Sequence, residues 1–309
     1  AYARAIVKKP RGKERFPALY FIQGYNCGSI DNLPLTDPTR RFVDAMVERG
    51  YVVYRMEKPG TGDSKGTKPC SEIGFHEEVA AFTAGLEELK IYDFVDTGNI
   101  FLFGHSLGAN VAPLVASVHK VKGIVGYGVN GKPWFEYLLE VLREQRPMTG
   151  ADYVQVDEDM RVAVPLLYAL MIEKKPAEEL AQNPAYRRLM ENLLNYDGAG
   201  HMFGRTYRVL QELQEVEVNK AWQKAATNTL MIYGGADFPA IDPDGANIIV
   251  DVVNAYYPGK GTYKFLPDTD HSFIEVGSKQ DLLQLNRTQQ YENYANRHFN
   301  YKLVDMVDS

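Results

Sequence analysis

The chain has 309 residues, 45% of them hydrophobic, enough to bury a sizeable core and better suited to one large domain, with or without an insertion, than to two. Its 34 basic and 40 acidic residues leave a net charge of −6, with no basic run that would mark a nucleic-acid or anionic-membrane partner, and no apolar run is long enough to span a bilayer. Two cysteines, Cys27 and Cys70, exclude a cysteine-rich zinc site or a disulfide framework but leave room for a single bridge.

Residue 1 is Ala and no charged-then-apolar leader follows, which leaves room for a leader or an upstream domain ahead of it. Apolar runs at Ala18–Gln23, Tyr51–Met56, Ile100–Phe103, Val121–Tyr127, Thr229–Tyr233 and Thr262–Leu266 predict buried strands. Between them, Pro38–Arg49, Glu72–Leu89, Leu107–Val118 and Ala246–Ala255 predict helices; in the second, Ile73, Val79, Ala80, Phe82 and Leu86 fall near helical spacing. Strand and helix in alternation predict an α/β fold with a mostly parallel central sheet flanked by helices. Strands that are apolar throughout agree, because such a sheet is covered on both faces.

The alternation stops between Gly131 and Trp222, where no strand is evident. Trp134–Arg146, Met160–Lys174, Pro184–Tyr196 and Arg205–Val216 predict helices, the third started by Asn183 as N-cap and Pro184 at the first helical position. This divides the chain into a core of residues 1–130 and 223–309 and a helical insertion, 131–222, read as a cap over the sheet. An ordinary helical subdomain with no part in substrate selection is the alternative.

Chemistry enters at Gly104-His-Ser106-Leu-Gly108, a G-x-S-x-G pattern. A second match, Gly62-Asp-Ser64-Lys-Gly66, shows that the pattern alone decides nothing. A nucleophile elbow needs a strand, a sharp turn at the serine and then a helix. Ser106 has that context; Ser64 sits among Pro59, Gly60, Gly62, Gly66 and Pro69 and reads as a turn. Serine needs an adjacent base, and in this architecture the partners follow in the order Ser, Asp or Glu, His. His271, in a polar loop after the last strand, is the candidate base, while His298 reads as a surface residue. Asp237, just past a strand in Gly234-Gly-Ala-Asp237, is the candidate acid, to orient the imidazole. The loop one strand earlier, Gly128-Val-Asn130-Gly131, has no carboxylate, and Asp268 and Asp270 read as solvated loop residues. The backbone amides of Leu107, directly after the nucleophile, and of Tyr25, after Gly24, are the candidate oxyanion donors, with Asn26 as a weaker alternative to Tyr25.

Gln23-Gly-Tyr-Asn-Cys-Gly-Ser, Glu57-Lys-Pro-Gly-Thr-Gly-Asp-Ser-Lys-Gly66, Gly104–Gly108, Gly234–Asp237 and Asp270-His-Ser-Phe stand in an order that resembles bacterial α/β-hydrolases, on their esterase and serine-aminopeptidase-like branch. The resemblance covers nearly the whole chain and is weakest across 131–222. It implies the α/β-hydrolase fold, the Ser, Asp, His set and a carbonyl substrate. Many relatives carry His where Gln23 stands, and usually two strands precede the oxyanion strand, whereas only Ala1–Lys8 is available here.

These readings favour a serine hydrolase cleaving a small-molecule carboxylic ester through an acyl-enzyme. A peptidase or amidase with the same triad is the alternative, and a non-catalytic binding protein on this scaffold stands against a complete Ser, Asp, His set. No cofactor or metal is called for. A peptidase would need a carboxylate to hold a peptide amine, and Glu136, Glu140, Asp157, Glu158 and Asp159 are the insertion's candidates. Apolar residues of the insertion, with Trp134 and Phe203 foremost, are candidate walls of an acyl pocket. Cys27 and Cys70 follow adjacent strands; bridged, they would indicate a periplasmic or secreted protein, and as free thiols a cytoplasmic one. The oligomeric state is not legible.

Overall fold

A computed structural model describes residues 2–66 and 68–309; Ala1, the first residue of the stretch available ahead of the oxyanion strand, lies outside them. The predicted alternation is present. In chain order come β1 (Ala5–Lys8), β2 (Phe16–Ile22), α1 (Pro38–Glu48), β3 (Val52–Met56), α2 (Phe75–Lys90), β4 (Val95–His105), α3 (Gly108–Val118) and β5 (Gly123–Tyr127). After a long helical stretch the core resumes with β8 (Asn228–Gly234), α11 (Asp244–Tyr256) and β9 (Gly261–Leu266), and ends in α12 (Lys279–Arg287), α13 (Tyr291–Ala295) and α14 (Lys302–Asp308). Seven strands make one sheet in the order β1-β3-β2-β4-β5-β8-β9, parallel except for β1, which runs antiparallel to β3 at one edge.

Side-chain alternation on buried strands builds two apolar layers. Tyr20 and Leu102 face one layer with Phe82 of α2 and Val111 of α3. Leu19, Phe21 and Phe103 face the other, with Phe42 of α1 and Leu303 of α14. Local chemistry fixes helix starts: Asp37 caps α1 by accepting from the Arg40 amide, ahead of Pro38. Glu72 belongs to a short 3₁₀ turn, and α2 begins at Phe75.

Between β5 and β8 lie α4 (Trp134–Glu140), α5 (Arg146–Met148), α6 (Tyr153–Leu167), α7 (Ala177–Leu180), α8 (Pro184–Leu193), α9 (Arg208–Glu215) and α10 (Val218–Ala225). Asn183 caps α8, its side chain accepting from the Ala185 and Tyr186 amides. The predicted helix Trp134–Arg146 is interrupted by a π-helical turn, 141–145, and another turn of that kind follows α6. The α10 helix packs on α3 and α11 of the sheet layers.

One expectation is corrected: the segment is not free of strands. His201–Met202 (β6) and Arg205–Thr206 (β7) form a small antiparallel hairpin. Its two turn residues, Phe203 and Gly204, both have positive φ, 51° and 76°. That is the backbone of a tight type I′-like hairpin turn, usually supplied by Asn-Gly.

Candidate active site

Ser106 stands where β4 hands over to α3. Its φ is +55°, a left-handed conformation costing a non-glycine residue on the order of 1–3 kcal/mol. The surroundings hold it there: its amide donates to the Tyr127 carbonyl at 2.8 Å, and its carbonyl accepts from the Ala109 amide at 2.9 Å. A side chain at Gly104 would come within 2.5 Å of Ala109 Cα, and one at Gly24 within 2.9 Å of Ser106 Cβ. The glycines therefore let strand, elbow and oxyanion loop close on one another. Ser64 lies instead in a turn, its amide donating to Thr61 O and its hydroxyl accepting from the Arg4 amide, away from the cleft that Ser106 lines.

Asp237 follows β8 and His271 follows β9, so both reach the same end of the sheet as Ser106. His271 Nδ1 lies 2.9 Å from each Asp237 carboxylate oxygen. Asp237 is fully buried, and its Oδ1 also accepts from the Ala240 amide at 2.9 Å. Burial by itself lowers the affinity of His271 for a proton, but the opposed charge and hydrogen bond of Asp237, with Asp270 beyond, outweigh it and raise the pKa above the ordinary imidazole value. Ser106 and His271 line the same cleft.

Two neighbours hold the His271 loop. His105 is half-buried, and its Nε2 donates to the His271 carbonyl at 2.8 Å. Burial and the nearby His271 push its pKa down to about 3, so it stays neutral. Asp270, expected to be solvated, is buried instead. It accepts from the Ser272 and Ile274 amides at 2.8 and 2.9 Å and from the Tyr291 hydroxyl at 2.5 Å, while the Asp270 carbonyl accepts from Tyr127 Oη at 2.6 Å. Its carboxylate organises the turn that presents His271. His298 is exposed, and among the described residues only His105 and His271 of the histidines line the cleft.

The Tyr25 and Leu107 amides border the cleft and have no acceptor among the described residues, the condition an oxyanion donor must meet. The Asn26 amide is equally free. The loop is anchored from behind. A disulfide joins Cys27 to Cys70, with Cα atoms 5.8 Å apart. Glu57 accepts from Ser29 Oγ at 2.5 Å and from the Ile30 amide at 3.2 Å. The Tyr25 carbonyl accepts from Lys58 Nζ at 3.0 Å and from Arg205 Nη1 at 3.3 Å. Lys58, Glu78 and Arg205 went unremarked in the sequence because each lies far from the others; the clue was a charged residue in an otherwise apolar position, Glu78 facing inward on α2.

The cleft encloses about 710 Å³. Trp134 and Phe203 both line it, with Tyr137, Val141 and Gln145 from α4 and the π-helical turn. No Asp, Glu, Lys or Arg among the described residues does. The insertion's carboxylates are engaged elsewhere or turned to solvent: Glu140 pairs with Lys132 at 2.6 Å, Asp157 with Arg143 at 2.6 Å and Asp159 with Arg146 at 3.0 Å, while Glu136 and Glu158 are exposed. Among the described residues no cluster of His, Cys, Asp or Glu could hold a metal ion, and no helix is long and apolar enough to cross a membrane.

A mostly parallel sheet with a serine elbow, a histidine and a buried aspartate at one end defines an α/β-hydrolase. The chain belongs to the serine aminopeptidase S33 family, whose model matches residues 37–274. It is 21% identical over 239 residues to the esterase EstD of Thermotoga maritima, a match covering 76% of this chain; the chain spans about half the length of that curated relative, 50%. In three dimensions it resembles Est1E of Butyrivibrio proteoclasticus with bound ferulic acid, at TM-score 0.57 and 16% identity over 94% of this chain and 95% of that one. It also resembles a monoglyceride lipase of Saccharomyces cerevisiae in complex with a substrate analogue, at TM-score 0.53 and 14% identity over 94% and 91% of the two chains.

Proposed function

We propose that this hydrolase cleaves a neutral carboxylic ester by an acyl-enzyme mechanism. In this reading Ser106 attacks the carbonyl carbon and His271 takes its proton. Asp237 holds the imidazole and stabilises the imidazolium. The Leu107 and Tyr25 amides receive the oxyanion, and His271 returns the proton to the departing alkoxide. Water then repeats the sequence on the acyl-enzyme. The helical segment 131–222, less the α10 turn that rests on the core, serves as the cap, with Trp134 and Phe203 as walls of the acyl site.

The observation that carries the ester reading is the absence of a charged side chain, among the described residues, from the wall of the cleft. An aminopeptidase has to neutralise the ammonium group of its substrate, and burying that group without a partner is costly. The family's name points to peptides, but none of the acidic residues that could fill that role lines the cleft, and three of them are held in ion pairs. The Cys27–Cys70 disulfide supports the periplasmic or secreted reading, since such bonds persist in oxidising compartments.

The test is a panel of p-nitrophenyl esters of rising acyl length beside aminoacyl p-nitroanilides. Esters should be turned over and anilides should not. Anilides cleaved faster than every ester would replace this reading with the amidase one.

A further inference from the structure

Three residues of the β6–β7 hairpin grip one residue of the candidate oxyanion loop. Tyr25 Oη donates to the Met202 carbonyl at 3.3 Å. The Phe203 ring meets the Tyr25 ring edge-on at 6.4 Å between centroids. The Arg205 guanidinium lies 5.1 Å over the Tyr25 ring and reaches its carbonyl. Behind them sits a buried charge cluster. Glu78 of α2 pairs with Lys58 at 3.0 Å and with Arg205 at 2.7 Å, all three side chains at most 1% exposed. Both basic side chains on this carboxylate also spend a hydrogen bond on the Tyr25 carbonyl oxygen. Arg205 uses a further one on the Ile73 carbonyl.

We infer that Lys58, Glu78 and Arg205 are positioning residues that hold Tyr25 in the oxyanion loop, and with it the candidate donor amides of Tyr25 and Asn26, so that the cap hairpin sets catalytic geometry as well as walling the cleft. The argument is geometric. A trans peptide is planar, so pinning the Tyr25 carbonyl fixes the direction of the Asn26 amide, which points the opposite way. The Tyr25 amide lies across a single Cα from the same carbonyl. This oxygen therefore aims the Asn26 amide directly, while the Tyr25 amide, a φ and a ψ rotation away, is restrained by the same contacts together with those on the Tyr25 ring. Donation from two cations also polarises the peptide and strengthens its N–H as a donor. A packing role alone would not need three buried charges, since apolar residues fill such a site at least as stably.

The inference rests on the hydrolase reading above, and the experiment separates the two. Lys58→Met leaves Glu78 paired with Arg205 but removes the shorter hydrogen bond to Tyr25. Its kcat on a p-nitrophenyl ester should fall about 10- to 100-fold, less than outright loss of an oxyanion donor, with KM within about twofold. Affinity for a trifluoromethyl ketone, which forms an oxyanion on the enzyme, should fall by a similar factor. Affinity for the matching carboxamide, which does not, should hold. Lys58→Arg should recover most of kcat. If Lys58→Met does not fold, Arg205→Lys, which keeps a cation beside Glu78 but loses the stacked fork, should show the same split more weakly. Unchanged kcat, or equal loss of affinity for both inhibitors, would overturn the inference. An active Ser106→Ala enzyme would instead remove the hydrolase reading and this inference with it.

Discussion

The disulfide offers a prediction whose size follows from the chain itself. Cys27 and Cys70 are 43 residues apart and tie the candidate oxyanion loop to the turn before α2. Replacing both by Ser frees that segment in the unfolded chain. In the chain-entropy treatment a loop of this length contributes about 4 kcal/mol at 25 °C. Unfolding entropy of about 2.1 cal/mol/K per residue sums to roughly 650 cal/mol/K over a chain of this length. Dividing one by the other, the double variant should melt about 6 °C below the oxidised wild type. Reductant should bring the wild type down by the same amount and leave the variant unmoved. Differential scanning calorimetry with and without dithiothreitol reads all three numbers, and thiol titration of the denatured, unreduced protein should find no free thiol. A double variant melting within about 1 °C of the oxidised wild type would refute the chain-entropy reasoning, and two titratable thiols would refute the bond.

The raised pKa of His271 gives a pH prediction with a definite sign. The base works when neutral, so kcat/KM should rise with pH and reach half-maximum above about 6.5, the ordinary imidazole value. Asp237→Asn removes the main group that raises that pKa, so its midpoint should move downward while kcat drops by several powers of ten. A midpoint that moves upward in a pH–rate series of the two enzymes contradicts the assignment. Acyl length provides a separate check: each buried methylene is worth about 0.8 kcal/mol, about fourfold in kcat/KM. A medium-chain ester should therefore exceed an acetyl ester, and Trp134→Ala or Phe203→Ala should compress the series; an unaltered chain-length slope in both variants would remove these residues from the acyl site.

The sheet was legible because its strands are buried on both faces, so runs such as Ala18-Leu-Tyr-Phe-Ile22 carry no polar interruption. Its ends were not. The first half of β4, Val95-Asp-Thr-Gly-Asn99, is partly exposed and polar, and only its backbone pairing marks it as strand. The elbow at Ser106 could be anticipated because glycines and a strand–helix junction are local signals. The hairpin at 201–206 could not. Two-residue strands have no periodicity, and Phe203-Gly204 does with a strained phenylalanine what Asn-Gly does without strain; Gly204 was the single hint. Asp270 was misjudged for a related reason. A carboxylate in a polar loop reads as solvated until the amides of Ser272 and Ile274 and the Tyr291 hydroxyl are seen to converge on it. Contacts between segments far apart in sequence, as in the Lys58, Glu78 and Arg205 cluster, leave no mark on any one segment.

The central claim is that Ser106, held at a strained elbow beside His271, is the nucleophile. Turnover of a p-nitrophenyl ester by Ser106→Ala, measured beside Ser64→Ala, tests it most directly. Ser106→Ala should lower kcat by about a millionfold, since nucleophile and base act as a unit, with the fold intact by circular dichroism. Ser64→Ala should leave kcat within about twofold, as a surface turn residue would. An enzyme that survives the loss of Ser106 and dies with the loss of Ser64 would contradict the account.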